Sequence, residues 1–196
     1  MKQLIIFSFL YLLSFNHLFG QEGIVSVNKI ENGIESNFAF YVKEGKIALI
    51  SEDGAAYYQL ILSAAKNELI LCIDHPSFQK KGYYLYNKTG FIKNDSLTIL
   101  SEKSVQKDAL SGYSVSTTSG VATVFFGNQN VSLNGFSTFM NDPVYEAIDR
   151  SGYTTLPVLI VTDSAKYTLV FEEMPVDNKH FQIPDGYEQF EVRLAQ

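Results

Sequence analysis

The feature that most constrains this chain is a succession of short β-branched and aromatic runs, each cut off by a turn dipeptide. "IVSVNKI" (24–30), "SNFAFYV" (36–42) and "KIALIS" (46–51) are separated by Asn32-Gly33 and Glu44-Gly45. Runs of this length with Gly-containing breaks read as an antiparallel meander. "YYQLILSAAKNELILCID" (57–74) admits one helix or two strands; its apolar runs are continuous rather than spaced at helical period, which selects a hairpin. "GYYLYN" (82–87), "SLTILS" (96–101), "GYSVSTT" (112–118) and "VATVFF" (121–126) extend the sheet, and "TLPVLIVTD" (155–163) pairs with "KYTLVFEEM" (166–174) across Asp163-Ser164-Ala165.

One segment breaks the strand pattern. In "DPVYEAIDRSG" Asp142 suits a cap, Pro143 the first helical position and Gly152 the stop. Val144, Ala147, Ile148 and Ser151 then share one face, so this short helix lies on something apolar.

The opening "MKQLIIFSFLYLLSFNHLFGQE" reads as an export signal. Lys2 supplies the positive start, Leu4 to Leu13 the apolar stretch and Gly20 a small residue before the cut, although Leu18 stands where a small residue is preferred. A membrane span needs about 20 largely apolar residues, and Ser14, Asn16 and His17 interrupt this one. The expectation is a signal peptide over 1–20, cleavage near Gly20-Gln21, and a single periplasmic or secreted domain over 21–196 that does not span the membrane. A chain of this length buries about 70% of its unfolded surface without staples, consistent with Cys72 as its only cysteine.

Charge excludes some partners. The net charge is −6 and the longest basic run is Lys80-Lys81, whereas nucleic acid or an anionic membrane surface calls for a basic stripe. The chain holds 15 Phe and 12 Tyr but no Trp, a usage that fits half-buried sheet surfaces.

Catalytic groups are sparse. "CIDH" brings Cys72, Asp74 and His75 together, yet Cys72 continues the run "LILCI", where a free thiol acts as a small core residue. Ser77-x-x-Lys80 followed by Lys88-Thr89-Gly90 imitates the signatures of serine β-lactamases and penicillin-binding proteins. That mechanism needs a helix to place the lysine one turn from the serine, and here the residues flank a predicted strand. No nucleophile elbow, zinc-protease helix or phosphate loop is present in the sequence. The reading is a non-enzyme with no cofactor and no metal.

"LSGYSVSTTSGVATVFF" (110–126), "NQNVSLNGFSTF" (128–139), the helix and "HFQIPDGYEQF" (180–190) follow one another in the same order in an uncharacterised family of exported Gram-negative bacterial proteins, which this chain resembles. That family resembles the LolA-like fold of lipoprotein carriers, a mainly β architecture in which a curved, unclosed antiparallel half-barrel is covered by one or two short helices. The resemblance implies an apolar cavity for acyl chains, hence a lipid or other hydrophobic ligand. Carriers of this fold use an arginine near the cavity to hold the lid; this chain has only Arg150 and Arg193, of which Arg150 ends the helix.

Strands apolar on both faces ("IALI", "LILCI", "VFF", "LPVLIV") suit a half-barrel with one face lining a cavity, and equally a sheet with a filled core. In the first case Phe38, Phe40, Phe125, Phe126, Val144 and Ile148 are the expected lining. In the second, Tyr83, Tyr84 and Tyr86 form a partner surface on an envelope interaction protein. At the far end, Pro184 and Gly186 make a turn around Asp185, letting Phe181 and Tyr187 clasp the sheet.

Overall fold

A computed structural model describes residues 22–63, 66, 68–87, 97–127, 131, 142–153 and 155–190. The expected signal peptide, Lys88-Thr89-Gly90 and Arg193 lie outside them. Twelve strands form one sheet: β1 (Gly23–Glu31), β2 (Ile34–Lys43), β3 (Lys46–Asp53), β4 (Ala56–Ser63), β5 (Glu68–Asp74), β6 (Gly82–Asn87), β7 (Ile99–Lys107), β8 (Leu110–Thr117), β9 (Gly120–Phe126), β10 (Pro157–Thr162), β11 (Ala165–Glu173) and β12 (Glu188–Gln189). The described residues contain one α-helix, α1 (Asp142–Ser151), and a 3-10 turn at Asn178–Phe181.

The spatial order is β12-β6-β5-β4-β3-β2-β1-β11-β10-β9-β8-β7. The chain thus meanders outward from β1 to β6, crosses to the far edge at β7, and meanders back until β11 docks on β1. All neighbours are antiparallel except β12, which runs parallel to β6. The two edge strands do not pair with each other, so the sheet is unclosed.

Local chemistry sets the turns. Asn32 and Gly33 have φ of 51° and 78°, and Glu44 and Gly45 have 51° and 73°. Positive φ at both central residues is the hairpin turn that matches strand twist. Pro157 sits where the β9–β10 register shifts, a bulge position that tolerates a missing ladder N–H.

Register assigns the faces. Val25, Phe40, Ile47, Leu62, Leu69, Val124 and Ile160 share the inner face and belong to one buried core that also takes in Val144 and Ala147 of α1. The helix packs on β8 and β9. On the reverse, outer face, Phe181 and Val176 close over Ala48, with Tyr41 beside them.

That second small core explains why β3 to β5 are apolar on both faces. The C-terminal segment lies over their outer side: Gln59, buried, donates to the His180 carbonyl at 2.8 Å, and the His180 ring stacks on Tyr41 at 4.1 Å. Cys72 is fully buried in this layer, and burial pushes its thiol up to about 11. Beyond it, Tyr187 accepts burial against the same side, which raises its phenol to about 12 with Asp74 and Tyr57 nearby. The Pro184-Asp185-Gly186 turn is present, with Gly186 at φ 77° and the Tyr187 N–H donating to the Pro184 carbonyl at 3.4 Å. The segment then pairs with β6, and the Phe190 N–H donates to the Tyr83 carbonyl at 2.8 Å. Phe190 turns onto the inner face against Tyr84, over Gly82, where a Cβ would collide with its ring.

One strand departs from expectation. Instead of 96–101, β7 begins at Ile99 and runs on to Lys107. "SEKSVQK" carries no apolar period because β7 is the sheet edge and almost wholly exposed; its charges blunt an edge that would otherwise template further pairing.

The clasp carries a pH dependence. Burial, with the Lys179 charge beside it, lowers the His180 pKa below its usual value, Asp177 opposing. The folded chain therefore resists a proton that the unfolded chain takes up near pH 6.5. Stability is expected to fall as pH drops through about 6.5 toward the lower folded value. Urea midpoints measured between pH 7.5 and 5.5 check this: His180→Gln flattens the fall, and an equal fall in both proteins contradicts it.

Candidate functional site

The inner face of the outward meander is an apolar surface built by register. Tyr84, Leu71, Leu60, Leu49, Phe40, Val25 and Phe171 lie opposite one another across β6, β5, β4, β3, β2, β1 and β11. Alternation alone puts them there, because each strand turns every second side chain inward. Val25 and Phe40 are buried, whereas Leu49, Leu60 and Leu71 are half-buried.

Exposure along β2 shows where this face opens. From the β3-paired end to the β1–β2 hairpin, its inward residues run Val42 at 2%, Phe40 at 4% and Phe38 at 39% exposed, then polar Ser36 opposite Lys29 of β1, then Ile34 at 72% beside the turn. The apolar face thus passes from packed core to accessible surface within one strand. Half-buried Tyr58 and Ile73 flank the accessible end on β4 and β5.

The expected lining residues divide accordingly. Phe38 reaches the accessible part of the inner face, and Ile148 packs at the margin of the core. Phe40, Phe126 and Val144 are inward but buried, at 4%, 4% and 1% exposed. Phe125 alternates to the outer face, where its ring covers Gly112 of β8. Leu49, Leu60 and Leu71 were not singled out by the sequence reading, since only strand register shows that they share a row with Phe40.

α1 is fastened at its last turn. Arg150 Nε donates to Glu146 Oε2 at 2.9 Å and Nη1 to Glu102 Oε2 on β7 at 3.2 Å. The Glu146 hydrogen bond is the main cause that raises the Arg150 pKa, and burial, helped by the Glu102 charge, raises that of Tyr113 beside the pair. Glu146 is 4% exposed, so its carboxylate depends on such partners.

The Ser77-x-x-Lys80 pattern falls on a turn segment and not on a helix. Both residues follow β5, the Ser77 N–H donating to His75 Nδ1 at 3.0 Å and Lys80 pairing with Glu188 at 2.8 Å. Among the described residues no group of three or more His, Cys, Asp or Glu side chains is placed to hold a metal, and no helix is long and apolar enough to cross a membrane. The chain matches no family model and no curated protein.

The fastening can be graded. Arg150→Met, which removes both donors, is expected to lower the thermal unfolding midpoint more than Glu102→Gln, which removes one exposed charge and keeps an acceptor oxygen. Equal midpoints for the two variants would show that Glu146 does not rely on Arg150.

Proposed function

We propose that this is an exported, non-enzymatic protein that holds a lipid or other hydrophobic ligand, with the unclosed sheet serving as a LolA-like half-barrel. The observation that carries the reading is the exposure gradient along β2, which runs from Val42 and Phe40 in the core, at 2% and 4% exposed, to Phe38 at 39%. Leaving such a face bare forgoes about 25 cal/mol for each Å² of apolar surface, and an acyl chain laid along it recovers that term. The uncharged row from Leu71 to Phe40 offers an aliphatic chain contact without a polar group to strip of water. Export and a periplasmic or secreted location follow from the apolar opening stretch. Arg150, ion-paired across to β7, is the residue that holds the helix over its half of the sheet.

A second reading is an envelope interaction protein with a filled core, and the burial of Phe40, Phe126 and Val144 favours it. Tyr84 and Tyr86, stacked at 6.1 Å on the inner face, then belong to the partner surface, whereas Tyr83 alternates to the outer face opposite Cys72.

A fluorescent fatty-acid probe distinguishes the two. Phe38→Ala is expected to weaken probe binding about tenfold, the loss of part of one large side chain's burial. Ile148→Ala is expected to lower affinity more than it lowers the melting temperature. Unchanged probe affinity in both variants would remove the inner face as the ligand site.

A further inference from the structure

Away from the apolar row, the inner face ends in a cleft of a different chemistry. It lies between the C-terminal end of α1 and strands β7 and β8, with a volume of about 340 Å³. Its polar lining comes from Ser104, Gln106, Ser111, Tyr113, Ser151 and Tyr153. That size is at the lower end of small-molecule sites, about 300–1,000 Å³.

Among the described residues, none that lines the cleft is charged. Arg150, next to the lining residue Ser151, is already bridged to Glu102 and Glu146. An anion would find no cation among the lining residues, and an apolar ligand would strip water from hydroxyls without replacing its hydrogen bonds. Hydroxyls and a primary amide both donate and accept, so the lining matches a ligand that is itself uncharged and hydroxylated.

Tyr153 adds the second element. One face of its ring is stacked on the buried Phe126 at 4.3 Å and 15°, yet the residue is 43% exposed. Its backbone is held as well: the Tyr153 N–H donates to Ser151 Oγ at 3.1 Å, and Ser151 Oγ donates to the Ile148 carbonyl at 2.7 Å. A fixed aromatic ring with an accessible face, next to hydroxyls, is complementary to the C–H face of a sugar ring, whose rim carries the hydroxyl groups. Gly152, at φ 70°, carries no side chain and leaves the approach open.

We propose that this cleft binds a neutral saccharide, either free or as the headgroup of a glycolipid. The site uses residues other than the acyl-binding row, so it stands whether or not that row holds a ligand.

The test is an amide-shift NMR titration of the full chain with glucose, galactose, mannose, N-acetylglucosamine and maltose, and with the octyl glycoside of each. At least one sugar is expected to shift Ser104, Ser111, Gly152 and Tyr153 saturably. Tyr153→Ala should weaken that sugar about tenfold while Tyr153→Phe, which keeps the ring, stays within about twofold. Gln106→Ala, on an exposed strand position, should also weaken it and carries the test if Tyr153→Ala fails to fold. Tighter binding of the octyl glycoside than of the free sugar marks a glycolipid headgroup; equal binding marks a free saccharide. Absence of saturable cleft shifts with every sugar, or full affinity in both Tyr153→Ala and Gln106→Ala, would overturn the proposal.

Discussion

Nine consecutive residues of β1, Gly23 to Glu31, pair antiparallel with Glu173 to Ala165 of β11, and this ladder joins two meanders that would otherwise each end in an open edge. It sets Val25 opposite Phe171 and Val27 opposite Leu169, so the inner apolar rows pass from one meander into the other without a break. Every other antiparallel contact in the sheet is between strands adjacent along the chain. The β1–β11 contact alone must wait for both meanders, since its loop-closure entropy is compensated only when both strands exist. It is therefore the step on which a single continuous inner face depends.

Given that face, the covers decide where it stays accessible. The C-terminal segment lies on the outer side of the β3–β5 half, sealing Gln59 and Cys72. The helix lies on the inner side of the β8–β9 half. Opposite halves are thus covered on opposite faces, leaving the inner row of Leu49, Leu60 and Leu71 half-buried and Phe38 more exposed still. Apolar character on both faces of β3 to β5 has two separate causes: one side packs under the clasp, and the other forms the proposed ligand surface.

Much of the fold was legible because its signals are local. Asn32-Gly33 and Glu44-Gly45 specify their turns by backbone conformation, and Pro143, Val144, Ala147 and Ile148 specify a short helix with one apolar face. Edge strand β7 was only partly legible, since "SEKSVQK" faces solvent and has no burial to impose a period. The β1–β11 pairing was not legible, because no short-range signal tells a strand which distant partner it will meet. The candidate site was divided in the same way. Phe38 and Phe40 follow strand alternation, but the outward turn of Phe125 depends on the register that places its ring over Gly112. The saccharide cleft left no motif, because its residues come from β7, β8 and the end of α1 and share only a location.

Native mass spectrometry of the gently purified protein reads out directly whether its inner face carries a lipid. If the inner face of the outward meander is a ligand surface, the spectrum will show the chain with a co-purified lipid, or will acquire that mass shift after incubation with phospholipid. Bare protein alone, both as purified and after added lipid, would contradict the account.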